Sequence, residues 1–287
     1  MNVLSLFDGL SCGNIALERA GIKVNNYYAS EVDKWAIQIA NKNYPDIIQL
    51  GNVLDVKAKD LPHKIDLLIG GSPCQDLSFA GKGKGLSGDR SSLFYQYFRL
   101  LKECKPKYFL LENVRMKKEY SDIISDLLGV EPIEINSSLV SAQNRKRLYW
   151  TNIPGIKQPE DRGIVLRDIL ETETDERPVK DTKRNQRHYK NEDQKSLCMS
   201  ATMYKGAGNN GMTLVPQKSK QVCGHREPKV NTSETTYRKL TPLECERLQT
   251  IPDGYTSGVS NSQRYRMLGN SWTASIIAHL FRGLKDG

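Results

Sequence analysis

The sequence predicts an α/β protein built on a doubly wound, mostly parallel sheet, with a smaller second domain. Three observations lead there. In the first half, short continuous apolar runs alternate with amphipathic stretches, as expected of parallel strands buried on both faces with helices between them. Glycines and small polar residues follow those runs, at the carboxyl ends where such sheets bind ligands. From about residue 172 to 240 the pattern gives way to a polar stretch rich in Thr, Asn, Gly and Lys.

The elements follow in order. Val3 to Phe7 reads as a strand, broken by Gly9 and Gly13. Ile15 to Ala20 continues as a helix that Gly21 ends. Tyr27 to Ala29 starts a second strand, and Asp33 caps a helix through Trp35, Ile37 and Ile39. Ile47 to Leu50 and Ile65 to Ile69 read as strands three and four. Leu93 to Leu101 is helical, with Phe94, Phe98 and Leu101 on one face, and Tyr108 to Leu111 is a fifth strand. The pattern weakens after about Pro154. It returns at Thr241-Pro242-Leu243-Glu244, where an N-cap Thr, a Pro at N1 and a Glu at N3 mark a helix start. Trp272 to Leu284 reads as a last, core-like helix. Residues 1–154 and 262–287 therefore form one domain, and 155–261 the smaller one inserted between them.

The 287 residues are 38% apolar and 26% charged, enough for a full core and too apolar for a disordered chain. No apolar run approaches the ~18 residues of a membrane span. The first residues enter a strand directly, without a basic leader, so the expected location is the cytoplasm. Six cysteines are scattered without a C-x-x-C pair, which suggests free thiols, one of them reactive. Cys223 and His225 lack companions at metal spacing, and no metal is expected. The net charge is +9, and residues 177–239 alone carry 14 Lys and Arg against 5 Asp and Glu. The remainder is neutral, so the basic segment points to a polyanionic partner.

The candidate chemistry lies after the strands. Phe7-Asp8-Gly9-Leu10-Ser11-Cys12-Gly13 is a strand-to-helix turn that lets a ligand approach the backbone and the helix N-terminus. It is not G-x-G-x-x-G and has no P-loop lysine, and it would serve equally as a plain tight turn. Glu31 closes the second strand, where a carboxylate accepts from ribose hydroxyls; it also fits a surface acid. Gly70-Gly71-Ser72-Pro73-Cys74-Gln75 follows the fourth strand and places Cys74 as a nucleophile. Glu112-Asn113-Val114 ends the fifth strand, next to it in the sheet. In Gln143-Asn144-Arg145-Lys146-Arg147, strand alternation puts both arginines on one face, unless the triplet is simply a solvated basic edge.

Taken together, these residues resemble the C5-cytosine DNA methyltransferases over nearly the whole chain and in the family's motif order. Phe7-Asp8-Gly9 is similar to the first cofactor motif, Pro73-Cys74-Gln75 to the nucleophile motif and Glu112-Asn113-Val114 to the E-N-V motif. Gln143 to Arg147 is similar to Q-x-R-x-R, Arg238 to Gln249 to the ninth motif, and Gly269-Asn270-Ser271 to the last. Ser5-Leu6-Phe7-Asp8-Gly9, and Trp272 followed by His279-Leu280-Phe281, resemble the catalytic domains of animal de novo enzymes. The compact size is more similar to stand-alone bacterial or phage enzymes.

The resemblance implies an S-adenosylmethionine-dependent methyltransferase fold, S-adenosyl-L-methionine as cofactor and double-stranded DNA as partner. No membrane association is expected, and the oligomeric state is left open, with a monomer favoured. It implies that the Cys74 thiolate adds to C6 of a flipped cytosine, with Glu112 at N3, Arg147 on the O2 side and Arg145 ordering the nucleophile loop. Phe7, Asp8, Gly9, Leu10, Ser11, Cys12, Glu31, Val32, Asn52, Val53, Pro73, Asn270, Ser271 and Trp272 would surround the cofactor. Asn52 stands where the family usually has Asp, and Val32 where many relatives have an aromatic residue. On the DNA side, the expectation is Gln75 as a DNA contact, Lys82 and Lys84 near phosphates, and Thr202, Tyr204, Lys205, Asn209 and Asn210 as base readers in the basic segment. Two rival readings remain. One is a tRNA cytosine-5 methyltransferase, against which the large basic insertion argues. The other is an inactive DNA-binding relative, against which the intact Cys74, Glu112, Arg145 and Arg147 argue.

Overall fold

The structure, a computed structural model, describes residues 1–73, 92–206, 212–217 and 235–285. Val3, Leu4 and Leu6 are fully buried in β1 (Asn2–Leu6), as a strand covered on both faces requires. The chain continues through α1 (Cys12–Ala20), β2 (Asn26–Ser30), α2 (Lys34–Asn43) and β3 (Ile48–Gln49), then returns to β4 (Leu67–Gly70). Next come α3 (Ser92–Cys104), β5 (Tyr108–Val114), α4 (Lys118–Leu128), β6 (Ile133–Asn136) and β7 (Lys146–Thr151). The expected caps are in place: Gly21 ends α1 at φ 67, and the Asp33 side chain accepts from Trp35 N–H at the start of α2.

One sheet has the strand order β3-β2-β1-β4-β5-β7-β6. The strands from β3 to β5 pair in parallel, and β7 runs antiparallel to both its neighbours. After β1 the chain first winds outward to β3, then crosses back to β4 on the other side of β1. The crevice beyond the carboxyl ends of β1 and β4 is thus the topological switch point where doubly wound sheets bind ligands. The predicted mostly parallel α/β sheet is what the structure has.

Several expected elements are placed differently in detail. The third strand is confined to Ile48–Gln49, in register with Tyr28 and Ala29 of β2, because only two residues pair at that sheet edge. The basic segment contains α5 (Lys183–Gln186) and an antiparallel pair of β8 (Leu214–Gln217) and β9 (Thr236–Lys239). Beyond it come α6 (Pro242–Leu248), α7 (Asn261–Asn270) and α8 (Ala274–Phe281). The last helix therefore starts after Trp272, not at it. Its cap residue Thr273 is extended, at φ −79 and ψ 102, and a tight turn over Arg282–Lys285 closes the element. Ile276, Ile277, Leu280 and Phe281 of α8 share a core with Ala16, Leu17 and Ala20 of α1.

A second core unites Leu10, Cys12, Ile15 and Ile39 with Met199, Met203, Met212 and Leu214 of the basic segment. Among the described residues, no helix is long and apolar enough to cross a membrane.

Candidate active site

The turn from β1 into α1 holds two non-glycine residues in the left-handed region, Phe7 at φ 58 and Ser11 at φ 57. Each such residue costs about 1–3 kcal/mol and persists only where its surroundings over-determine it. Asp8 supplies that constraint. Its carboxylate accepts from Ser5 Oγ at 2.6 Å, from Tyr27 Oη at 2.7 Å and from the Ser11 hydroxyl. Burial pushes its pKa up, against the three hydroxyls that pull it down. Asp8 thus braces the turn from within, and Leu10 and Cys12 pack their side chains into the core.

Gly9 sits at φ +59, with no atom within 4 Å of where a Cβ would be. Its N–H donates to Glu31 Oε2 at 2.8 Å, while Glu31 Oε1 accepts from the N–H groups of Val32 at 2.7 Å and Asp33 at 2.8 Å. Val32 is 71% exposed beside it. Asn52 follows Gly51, which is also left-handed and open at φ +73. Asn52 Oδ1 caps its own turn by accepting from Leu54 N–H at 3.1 Å. Val53 is buried, so its side chain belongs to the core and only its main chain is available to a ligand.

The second half of the site lies where β4 and β5 end together. Gly70 pairs with Leu111, which brings Gly71 beside Glu112. Asn113 Nδ2 donates to Ser72 Oγ at 3.1 Å and ties the start of the loop after β4 to the end of β5. Cys74, Gln75, Lys82 and Lys84 lie outside the described residues, as do Asn209, Asn210, Cys223 and His225. Across β5, Tyr149 of β7 faces Glu112 directly. Arg147, two residues away and so on the same face, reaches diagonally to set its Nε 2.9 Å from Glu112 Oε1. The other oxygen, Oε2, accepts from Trp272 Nε1–H at 3.1 Å.

Arg145 does different work from Arg147. It is buried and donates to Met199 O at 3.0 Å, Ser271 O at 2.9 Å and Gly269 O at 3.3 Å. Burial and the nearby Arg147 guanidinium push its pKa down from the ordinary arginine value. Gln143, also buried, accepts from Met199 N–H at 2.9 Å and donates to Gln249 Oε1 at 3.3 Å. Gln249 in turn donates to Ser271 O at 3.1 Å. A Cβ on Gly269 would lie 2.2 Å from the Ser200 carbonyl carbon, so only glycine lets the basic segment's backbone rest there. Through these contacts, and the backbone bonds of Ser196 with Ala142 and Asn144, residues 196–201 are clamped to the Q-x-R-x-R stretch and to the last turn of α7 at Gly269. Thr202, Tyr204 and Lys205 follow that clamp immediately, anchored by the buried Met203.

A model of the family described as C-5 cytosine-specific DNA methylase matches residues 1–286. The chain belongs to that family. This methylase is 28% identical over 305 residues to the type II methyltransferase M.NlaX of Neisseria lactamica, covering 99% of this chain and 96% of the relative. It is 27% identical over 328 residues to the type II methyltransferase M.NgoPII of Neisseria gonorrhoeae, covering 99% and 95%. Its fold is similar to that of the Entamoeba histolytica methyltransferase EhMeth, with a TM-score of 0.80 at 19% identity over 100% of this chain and 98% of that one. The family's activity, methyl transfer to C5 of cytosine in DNA, and its methyl donor, S-adenosyl-L-methionine, are those of this enzyme.

The residues present fit that donor. The open backbone at Gly9 and Gly51, the exposed aliphatic Val32 and the anchored Glu31 carboxylate all lie at the carboxyl ends of β1, β2 and β3. A carboxylate has about four acceptor positions. Three on Glu31 are taken by main-chain N–H groups, leaving room for a ribose hydroxyl. Among the described residues, no group of His, Cys, Asp and Glu could hold a metal ion.

The sequence pointed to Trp272 for the cofactor but not for its bond to Glu112. It also missed the Asn113–Ser72 tie and the role of Gln249. One available signal was the Gly-Gly pair before Ser72-Pro73. Two glycines ending a strand imply that something packs close to the backbone, here the Trp272 indole and the Glu112 carboxylate.

Proposed function

We propose that this methylase works through a covalent adduct between Cys74 and C6 of a cytosine flipped out of double-stranded DNA. The observation that carries the reading is the Glu112–Arg147 pair at the end of β5, beside the end of β4 that leads through Pro73 to Cys74. C5 of cytosine is too weak a nucleophile to take a methyl group unaided. Addition of the Cys74 thiolate to C6 forms a C–S bond and pushes electron density onto the ring, making C5 nucleophilic. Glu112 hydrogen-bonds N3 and can supply a proton there, and Arg147 stabilises charge on the O2 side. When bound, S-adenosyl-L-methionine supplies the electrophilic methyl group. Loss of the C5 proton to solvent then lets the Cys74 thiolate leave as the C5–C6 double bond re-forms, and return of the N3 proton to Glu112 restores the neutral aromatic ring and the enzyme. A stacked base cannot be reached from both faces, so the cytosine must leave the helix.

In this reading Phe7 to Cys12, Glu31, Val32, Asn52, Val53, Pro73 and Asn270 to Trp272 surround the cofactor. Residues 155–261 form the recognition domain. Thr202, Tyr204 and Lys205 support that assignment by their place beside the clamp on Arg145 and Gly269. Asn209 and Asn210 are proposed base readers, and Gln75, Lys82 and Lys84 proposed DNA contacts, on sequence alone.

The test uses labelled S-adenosyl-L-methionine with duplex DNA and with tRNA. Transfer to DNA is the expected result, and Cys74→Ser abolishes it while cofactor binding persists. Wild-type protein becomes covalently trapped on duplex carrying 5-fluorocytosine; Cys74→Ser does not. Trapping of the serine variant, or transfer to tRNA alone, would defeat the proposal.

A further inference from the structure

We propose that Trp272 is a positioning residue for Glu112: its indole N–H fixes the carboxyl group that the flipped base must meet. This inference rests on the functional reading above and goes beyond a cofactor contact for Trp272.

The geometry is specific. Glu112 Oε2 accepts from Trp272 Nε1–H at 3.1 Å, and Oε1 lies 2.9 Å from Arg147 Nε. The terminal torsion of a glutamate is broad and roughly two-fold, so a carboxyl group held at one oxygen still rocks. Held at both oxygens by donors from different parts of the chain, it is confined to one plane. Each oxygen keeps a second acceptor position, so the clamp does not use up the group.

Trp272 is itself held on both sides. Before it, Ser271 O accepts from Arg145 and from Gln249, at 2.9 and 3.1 Å. After it, Thr273 Oγ1 bonds Gln249 Oε1 at 2.9 Å and Ser137 Oγ at 2.8 Å. These are buried contacts, so the indole is carried on a stiff support. An independent observation comes from Gly71. A Cβ there would lie 2.8 Å from Trp272 Nε1 and 3.0 Å from Glu112 Oε2, so the pair is seated directly against the backbone that leads to Pro73. A tryptophan that only filled space, or only lay against a cofactor, would not need its N–H aimed at this carboxylate.

The decisive variant is Trp272→Phe, which keeps a ring and deletes the donor. The expected result is a fall in kcat of about 10-fold to 100-fold, since small misplacements of a reacting group cost on that order. KM and Kd for S-adenosyl-L-methionine stay within about two-fold, because the phenyl ring keeps the aromatic contact with the cofactor and only the N–H aimed at Glu112 is lost. Gly71→Ala, which pushes the pair apart, gives the same split. A second readout needs neither cofactor nor turnover. The chain has 3 tryptophans, so ¹⁵N-indole labelling gives three side-chain N–H resonances, and Trp272→Phe identifies one by its loss. In Glu112→Ala that resonance shifts and its hydrogen exchange accelerates, while those of Trp35 and Trp150 stay in place.

Unchanged kcat in Trp272→Phe overturns the proposal. So does a loss matched by weaker cofactor binding, and so does a Trp272 resonance indifferent to Glu112→Ala. Wild-type protein that transfers no methyl group would instead sink the functional reading, and the resonance experiment would still decide the contact.

Discussion

Cys12 opens α1 directly after the Phe7–Ser11 turn, and its thiol is turned away from solvent. Its side chain is buried, and burial pushes the pKa up to about 12. At pH 8 such a thiol is ionised to about one part in ten thousand, and the thiolate is the reactive form. Cys245 is fully buried and shifted in the same direction by the same cause. Raising the pH toward 8 brings an ordinary thiol near its titration range but leaves these two protonated. Alkylation of the native protein with iodoacetamide at pH 8 should therefore spare Cys12 and Cys245, and both should react after denaturation. Peptide mapping reads the outcome, and native labelling of Cys12 would contradict the packing described. The identity of these residues was legible in the sequence, but their orientation was not. Asp8 shows the difference: its place after a strand suggests a ligand contact, whereas its carboxylate is taken up by Ser5, Ser11 and Tyr27. Side-chain direction in a left-handed turn depends on neighbours such as Tyr27, contributed by the adjacent strand.

Among the elements, α6 was the most legible, because its start signal is entirely local. Thr241 Oγ1 accepts from Glu244 N–H at 3.1 Å, and Glu244 Oε2 accepts from Thr241 N–H at 2.8 Å, the reciprocal capping box that Thr-Pro-Leu-Glu announces. What the sequence could not announce is that Glu244 also binds Arg238 through two bonds of 2.8 and 2.7 Å and accepts from Glu171 N–H at 2.9 Å. Both charges are almost wholly buried, with side-chain exposures of 3% and 0%. Removing one partner leaves the other charged and unpaired inside the protein, which costs about 3–5 kcal/mol. Glu244→Ala should lower unfolding stability by that amount in denaturant titration, whereas Glu173→Ala, at an exposed position, should stay within about 0.5 kcal/mol. An equal, small effect of both would show that the Arg238 pair contributes little. The first residue of α8 is Ala274, later than apolar periodicity predicts, for a related reason. That periodicity runs through Trp272 and Thr273, but hydrogen bonds to Glu112 and Gln249 from distant parts of the chain hold those residues out of the helix.

On the scale of the whole molecule, strand order brings together what the chain keeps apart. The switch between β1 and β4 sets the Phe7 turn beside Gly71, and β5 and β7 add Glu112 and Arg147. The sheet was legible because buried parallel strands are continuous apolar runs. The docking of the basic segment was not, since it depends on pairing between residues far apart in the chain, as between Gln143 and Ser196 or Met199. In the proposed reading that docking would bear on specificity. Arg145, Gln143 and Gly269 grip residues 196–201 mostly through main-chain atoms, with the Cys198 sulfur as a side-chain acceptor for Arg145 at 3.6 Å, so the grip uses none of the side chains from Thr202 onward. The basic excess lies in residues 177–239, where phosphate contacts would give salt-dependent affinity and polar side chains would discriminate bases. Recognition and chemistry should then be separable parts joined by a standard connection. Transplanting residues 156–240 into a related methylase of known target sequence should move the methylated cytosine to this enzyme's site, provided the host supplies the equivalent Gln, Arg and Gly. Bisulfite sequencing of DNA from cells expressing the chimera reads the result. The slope of log affinity against log salt should follow the segment, differing by about 0.9 for each phosphate that one segment neutralises and the other does not. A folded, active chimera that still methylates its host's old sequence would place recognition in the catalytic body and refute the assignment.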